Sequence, residues 1–242
     1  MLLELAAIRP VDRVLLSASP SQKGHAPMLR RVAAEAFGTF CLIFAGTGAV
    51  VIDDVSGGAI THVGIALVFG LVILAMIHAV GDISGAHLNP AVTLGMWSAG
   101  RLSAATVPAY VAGQAAGAFA ASGLLRFLFP QHATLGATVP AGADWQSFVL
   151  EAVLTFILMV VVLRVSSGPK ERGMLAGITV GAVIGLEAMF AGPISGASMN
   201  PMRSLAPAVV SGTLTGLWVY LTAPLAGALA GVAAHRVLRD DA

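Results

Sequence analysis

Long apolar stretches separated by short polar segments dominate the chain. A helix that crosses a bilayer needs roughly 20 consecutive apolar residues. Six stretches reach that length with few or no charges, which predicts six transmembrane helices at 32–52, 61–80, 104–125, 145–165, 174–192 and 214–234. Two shorter apolar stretches, 88–99 and 200–212, have Asn-Pro at or next to their starts. They are too short to span, and they predict re-entrant half-helices.

The chain also repeats itself. The pattern Glu-Ala-x-x-Thr-Phe occurs at 35–40 and 151–156, and Ile-Ser-Gly-Ala-x-x-Asn-Pro occurs at 83–90 and 194–201. Each half therefore holds three spans and one half-helix, and because three is odd the second half is inverted in the membrane. Inverted repeats with broken helices are typical of transport pathways near the bilayer midplane. We predict an all-α polytopic membrane protein with six transmembrane helices, two re-entrant half-helices and an inverted repeat.

Composition and charge support this class. Hydrophobic residues make up 57% of the 242 residues and charged residues only 10%. A soluble domain carries about a quarter charged residues, so the composition excludes a soluble enzyme and a disordered chain. The net charge of +1 gives no basic field for nucleic acid. With six spans, all but Arg126 and Arg203 of the 13 basic residues fall on the side of the termini, which predicts that both termini are cytoplasmic.

The two Asn-Pro motifs carry the candidate chemistry. Asn is a strong helix N-cap and Pro suits the first helical position, so each motif begins a half-helix and leaves the Asn side-chain NH2 free to donate into a cavity. Two inverted half-helices meet start to start, each with about half a positive charge. Such a centre passes neutral solutes and repels cations. The predicted pore centre comprises Asn89, Pro90, Ala91, Asn200, Pro201 and Met202.

The segments before the motifs are mostly small residues and predict non-helical backbone. Their carbonyl groups cannot face lipid unpaired, so we expect them to line the pathway as acceptors at Gly85, Ala86, His87, Gly196 and Ser198. Glu35 and Glu151 occupy matching repeat positions and are costly in a membrane unless satisfied. We expect them to bind N–H groups of the re-entrant segments, in a structural role.

These residues together resemble the aquaporin, or major intrinsic protein, family. The resemblance rests on the two Asn-Pro motifs with their Ser-Gly-Ala lead-ins, on Arg203 and on the paired Glu35 and Glu151, and it covers almost the whole chain. It implies a channel domain at 31–238 with repeats at about 31–130 and 145–238, a pore in each monomer and a homotetramer. The mixed, proline-containing sequence before it predicts a cytoplasmic tail at 1–30. The family usually has alanine where this chain has Met202.

The resemblance also implies a selectivity filter of four residues: Phe69, Ala188, Ala197 and Arg203. A water-selective filter in this family typically has His at the position of Ala188. With alanine at 188 and 197, the predicted opening is wider than water needs, and the stretch 191–200 resembles the nodulin-like branch most closely. Other family markers are mixed: Ser204 and Ala208 resemble water channels, whereas Tyr220 and Leu221 resemble glycerol channels. We therefore expect passage of water, glycerol, urea and metalloid hydroxides such as boric or arsenous acid, with exclusion of ions and protons.

Three alternatives remain beside this reading. A water-selective aquaporin would need the filter to be narrowed by displacement of Phe69 or Arg203. A coupled secondary transporter would need titratable groups in the pathway, for which only Glu187 and Asp82 are candidates. A membrane enzyme would need a nucleophile–base pair or a metal cluster, and neither pattern occurs. The sequence predicts no cofactor and no metal, membrane lipid as surroundings, and a bacterial-type plasma (inner) membrane as location.

Overall fold

The computed structural model describes residues 26–166 and 175–238. Residues 1–25 of the predicted tail, Met174 at the predicted start of the fifth span and residues 239–242 lie outside the described residues. In the described part the chain forms eight α-helices, with a 3₁₀ turn at Ala104–Thr106 before the fourth: α1 Met28–Val55, α2 Thr61–Ser84, α3 Pro90–Ser98, α4 Val107–Leu128, α5 Asp144–Val165, α6 Ala176–Ser195, α7 Pro201–Ser211 and α8 Leu217–Val237.

Six of these helices are long and apolar enough to cross a membrane: α1, α2, α4 with its 3₁₀ turn, α5, α6 and α8. The two short helices, α3 and α7, are the half-helices that the apolar pattern predicts. Large apolar side chains such as Leu71, Phe127 and Leu186 are exposed on the outer faces. Outward apolar side chains fit contact with lipid hydrocarbon rather than with water.

Several predicted span ends differ from the observed helix ends, and two of these differences concern the lead-ins. The helix α2 continues past Val80 to Ser84, and α6 continues past Gly192 to Ser195. Each helix stops only where a glycine takes left-handed backbone, at Gly85 with φ 91° and at Gly196 with φ 80°. Glycine adopts this conformation without a Cβ penalty. The Ser-Gly-Ala lead-ins therefore begin inside the helix rather than in non-helical backbone.

The two halves pack with a shared pattern. In the first half α1 packs against α4, and in the second half α5 packs against α8. Across the halves, α2 packs against α6, while the half-helix α3 packs on α8 and α7 packs on α4. Each half-helix thus lies against the last span of the opposite repeat, and the starts of α3 and α7 meet between the halves.

Glycines allow the closest helix crossings. A Cβ on Gly70 would lie 2.6 Å from the carbonyl oxygen of Gly181, and a Cβ on Gly181 would lie 2.6 Å from the carbonyl oxygen of Gly70. The backbones of α2 and α6 are therefore in direct contact, as small residues permit in membrane helices. Gly117 of α4 and Gly227 of α8 lie in the same way against the carbonyl groups of Ala36 and Ala152.

Candidate functional site

Each half-helix is capped at its start by the side chain of its Asn residue. The side-chain oxygen of Asn89 accepts the N–H of Ala91 at 2.8 Å, and that of Asn200 accepts the N–H of Met202 at 3.0 Å. Both bonds satisfy helix-end donors that otherwise have no partner. The Asn side chains are buried, with 6% and 4% of their surface exposed. The two motifs therefore form helix starts within the protein interior.

The side-chain NH2 groups of the two Asn residues are less free than predicted. Asn89 Nδ2 donates to the carbonyl of Met199 at 2.8 Å, and Asn200 Nδ2 donates to the carbonyl of Leu88 at 2.9 Å. These reciprocal bonds tie each half-helix to the lead-in of the other repeat. Because an amide NH2 carries two donors, each Asn has one N–H in the cross-repeat bond and one N–H left for the cavity.

Glu35 holds the first lead-in. Its carboxylate accepts the backbone N–H of His87 at 2.9 Å and of Leu88 at 2.7 Å, and the hydroxyl of Ser84 at 2.7 Å. Gln114 Nε2 donates a fourth bond at 2.8 Å. The side chain of Glu35 is fully buried. These bonds supply the compensation that a buried carboxylate requires.

Glu151 holds the second lead-in in the same manner. It accepts the N–H groups of Ser198 and Met199, each at 2.8 Å, and the hydroxyl of Ser195 at 2.7 Å. It is also fully buried. The donor that corresponds to Gln114 is absent, because the equivalent position on α8 is Pro224, which has no side-chain donor.

The lead-in backbone turns its carbonyl groups away from these carboxylates. Ala86, Leu88, Ala197 and Met199 all have positive φ, between 43° and 53°. Such conformations cost about 1–3 kcal/mol each in non-glycine residues and persist only where the surroundings hold them. In the described part of the chain no N–H or O–H group donates to the carbonyl oxygens at the predicted acceptor positions, which are Gly85, Ala86, His87, Gly196 and Ser198.

Two cavities meet within this framework. A narrow cavity of about 110 Å³ extends from Ser166 and Ala176 past the two Asn residues. A wider vestibule of about 370 Å³ lies against the segment between α4 and α5. Three residues line both spaces, which marks the junction between them: Phe69, Ala188 and Arg203.

The predicted site residues divide clearly between lining and support. Asn89, Asn200 and Ala197 line the narrow cavity together with Gly85, Ala86, His87 and Ser198, while Gly196 lines the vestibule. Four residues of the motifs line neither space: Pro90, Ala91, Pro201 and Met202. Ala91 is fully buried among apolar side chains, and Met202 packs against the main apolar core. The methionine therefore changes packing behind the motif rather than the cavity wall.

Arg203 is fixed at the junction by two contacts. Its Nη1 donates to the carbonyl of Gly136 at 2.7 Å, and its guanidinium lies 4.9 Å from the centre of the Phe69 ring. Only 5% of its surface is exposed. Its Nε has no hydrogen-bond partner among the described residues. Because Arg203 lines both cavities and a guanidinium carries five N–H donors, it is placed to bind a neutral oxygen-bearing solute where they meet.

The other candidate groups lie away from the pathway. Glu187 is 1% exposed, and neither of its oxygens has a hydrogen-bond partner in the described part of the chain. Neither Glu187 nor the exposed Asp82 lines either cavity. Among the described residues no group of three His, Cys, Asp or Glu side chains is placed to hold a metal ion. The two groups that the coupled-transport alternative would use therefore lie outside both cavities.

Sequence reasoning did not find the partners contributed by distant backbone. Gly136, Leu88 and Met199 act through carbonyl groups, which no side-chain pattern marks. The sequence does contain a signal that Gln114 needs a partner, because an amide in the middle of an apolar span is unusual. It does not show that the partner is Glu35, which lies on another helix.

Comparison with known proteins decides the family. The family model of the major intrinsic proteins (MIP) matches residues 22–235. The chain belongs to the major intrinsic protein family. Members of this family are membrane channels and not enzymes, so the described framework is that of a channel.

Individual members agree with this assignment. The chain is 50% identical to aquaporin NIP1-1 of Oryza sativa subsp. japonica over 214 residues, which cover 88% of this chain and 75% of the relative. It is 45% identical to nodulin-26 of Glycine max, covering 88% of this chain and 79% of the relative. The solved structure of the aquaglyceroporin from Plasmodium falciparum matches with a TM-score of 0.77 and 25% identity, over 86% of this chain and 95% of that chain.

Proposed function

We propose that this channel passively conducts water, glycerol, urea and small neutral acids such as boric or arsenous acid, and excludes ions and protons. The observation that carries the proposal is the junction of the two cavities. Two of the four predicted filter residues are alanine: Ala188 at the junction and Ala197 in the narrow cavity, with 8% and 6% of their surface exposed. Small side chains leave room for a carbon backbone beside Phe69, while Arg203 offers donors to hydroxyl groups.

The names of related proteins give independent support. Relatives are named aquaporin and nodulin-26, and the structural neighbour is an aquaglyceroporin. The wider solute range comes to this chain by analogy with the last of these. Exclusion of cations is supported by the two helix starts at Asn89 and Asn200, each of which presents about half a positive charge.

Substitution of Ala188 by His tests the solute range. Purified protein in liposomes is exposed to osmotic gradients of glycerol, urea or boric acid, and swelling rates are compared with water permeability. We expect wild type to pass water and glycerol rapidly, and we expect Ala188→His to reduce glycerol permeability more than water permeability, because the imidazole fills the junction. Leu186→His, on the exposed face of the same helix, is the matched control.

A narrower solute range has a clear signature in the same assay. If wild type passes water rapidly and excludes glycerol and urea, the water-selective alternative is correct. If solute flux depends on a proton or ion gradient, the coupled-transport alternative is correct.

The location and assembly belong to the same proposal. We propose a homotetramer with one pore in each monomer, as the family resemblance implies, and cytoplasmic termini, which the distribution of Lys and Arg supports. The relatives reported above are plant proteins, so the bacterial-type membrane stays a prediction from sequence. Native mass spectrometry of the detergent-solubilised protein measures the number of subunits.

A further inference from the structure

The segment 129–143 between α4 and α5 touches the filter arginine through its backbone. The carbonyl of Gly136 accepts Arg203 Nη1 at 2.7 Å, and Thr138 Oγ1 donates to the hydroxyl of Ser204 at 2.7 Å. A Cβ on Gly136 would lie 3.0 Å from the carbonyl oxygen and from the Cβ of Thr47. The turn at Gly136 therefore packs closely against α1 and α7. A small movement of this turn changes the contacts of Arg203.

His132 anchors this turn from within the segment. Its Nδ1 accepts the backbone N–H of Leu135 at 3.0 Å, and its Nε2 lies 3.1 Å from Asp54 Oδ2 at the end of α1. The His132 side chain is 7% exposed, whereas the Asp54 side chain is 60% exposed. From α4, Arg126 Nη1 donates to the carbonyl groups of His132 at 2.8 Å and of Pro130 at 3.0 Å.

The hydrogen bonds indicate which nitrogen carries the proton when this imidazole is neutral. A neutral imidazole has one donor nitrogen and one acceptor nitrogen, whereas imidazolium has two donors. Because the N–H of Leu135 donates to Nδ1, the proton of the neutral ring is on Nε2 and faces Asp54. A second proton must go to Nδ1, where it removes the acceptor of the Leu135 N–H.

Leu135 depends on that acceptor. Its φ is 52°, and the following Gly136 has φ 72°. A leucine in this region is strained and requires its surroundings to hold it. The buried Leu135 side chain packs with Val51 and Leu125, and the bond to His132 fixes its N–H. Loss of that bond removes one restraint on the turn that presents the Gly136 carbonyl, in which Thr134 also accepts the N–H groups of Gly136 at 3.3 Å and of Ala137 at 3.0 Å.

We propose that His132 is a positioning residue which makes the position of the Arg203 guanidinium depend on pH, at the end of the channel where the segment 129–143 lies. Histidine ordinarily changes charge between about pH 5 and pH 8. When His132 is protonated, the turn relaxes, the Gly136 carbonyl leaves Arg203, and the guanidinium moves into the junction and narrows it. This inference rests on the proposed function only in taking Arg203 as a filter residue.

Stopped-flow permeability measurements across this pH range test the inference, with the same pH on both sides of the liposomes. We expect the glycerol permeability of wild type to fall about fivefold on acidification, the factor that one typical hydrogen bond contributes to an equilibrium. We expect a smaller fall for water. His132→Asn keeps an acceptor oxygen for the Leu135 N–H and takes up no proton, so its permeability stays at the high-pH value throughout.

Two further variants distinguish a positioning role of His132 from a purely structural one. Asp54→Asn removes the carboxylate that lies 3.1 Å from His132 Nε2 and keeps an acceptor oxygen there, so its pH profile differs from that of wild type. His78→Asn changes a histidine that lines neither cavity, whose Nδ1 lies 2.9 Å from the Leu74 carbonyl oxygen, and leaves the profile unchanged. Hydrogen exchange of wild type needs no variant: protection of the Leu135 amide decreases at acidic pH beyond the intrinsic change in exchange rate.

The outcomes separate this inference from the proposed function. A wild-type channel with flat pH profiles for water and glycerol overturns the role of His132 and leaves the solute range intact. A pH response that survives in His132→Asn overturns it as well. If glycerol is excluded at every pH, the proposed solute range fails, and the pH profile of water permeability still tests His132.

Discussion

Phe69 owes its position at the junction to a glycine on the neighbouring helix. A Cβ on Gly46 of α1 would collide with the ring of Phe69 on α2. The ring in turn lies 4.9 Å from the Arg203 guanidinium, in cation–π contact. The width of the junction is therefore controlled in part by a residue that lines neither cavity.

Substitution of Gly46 by Ala is expected to narrow the junction. The methyl group pushes the Phe69 ring toward Arg203, and overpacking of this kind costs about 1–3 kcal/mol of stability. We expect a lower melting temperature in detergent and a larger loss of glycerol than of water permeability. The matched control is Gly48→Ala on the same helix, where a Cβ would lie at an ordinary 3.4 Å from Leu125. Equal glycerol-to-water ratios in the two variants would contradict this account.

The identities of the junction residues could be read from sequence only with the family resemblance. The charge distribution marks Arg203 as an exception, but its place in the filter comes from the resemblance. Spacing alone does not mark Phe69 or Ala188, because one apolar residue in an apolar span looks like any other. The sequence does not predict the hydrogen-bond partner of Arg203, because the Gly136 carbonyl belongs to an irregular segment whose path no sequence pattern defines.

At the scale of helices, the half-helices depend on two carboxylates. Each lead-in holds several positive φ angles and directs successive N–H groups to Glu35 or Glu151. The sequence predicts these bonds because both glutamates recur at matching positions in the repeat. It does not predict the exact ends of α2 and α6. A hydropathy pattern weakens at the polar residues near the lead-ins, whereas a helix continues there as long as its backbone groups are satisfied.

Removal of either carboxylate should destabilise the fold. In Glu35→Ala and Glu151→Ala the lead-in N–H groups lose their acceptors, and each unsatisfied group costs about 1–3 kcal/mol. We expect a lower melting temperature and lower yield for both variants. Glu187→Gln is the matched control, because Glu187 is equally buried but accepts no hydrogen bond among the described residues. Variants of Glu35 or Glu151 that fold normally but lose all flux would mean that these residues act in the pathway itself.

At the scale of the whole molecule, the two repeats complete each other. Each half-helix packs on the last span of the other repeat, and each Asn donates to a carbonyl of the opposite lead-in. Neither half has a complete pathway alone. The repeated motifs made this arrangement predictable, whereas the asymmetries, such as Gln114 opposite Pro224, follow from side-chain contacts that the shared pattern does not contain.

The meeting of two helix starts at one point makes the centre positive, and this property is testable by adding a charge. Asn200→Asp keeps an acceptor for the N–H of Met202 but places an anion where two helix dipoles direct about half a positive charge each. It also removes the donor to the Leu88 carbonyl. We expect proton or sodium conductance in liposomes that wild type lacks, and the same effect in Asn89→Asp. Asn200→Ser keeps a good helix cap without adding a charge, and we expect this variant to exclude ions as wild type does. If both Asp variants exclude ions as wild type does, the barrier does not arise from the charge of the two helix starts.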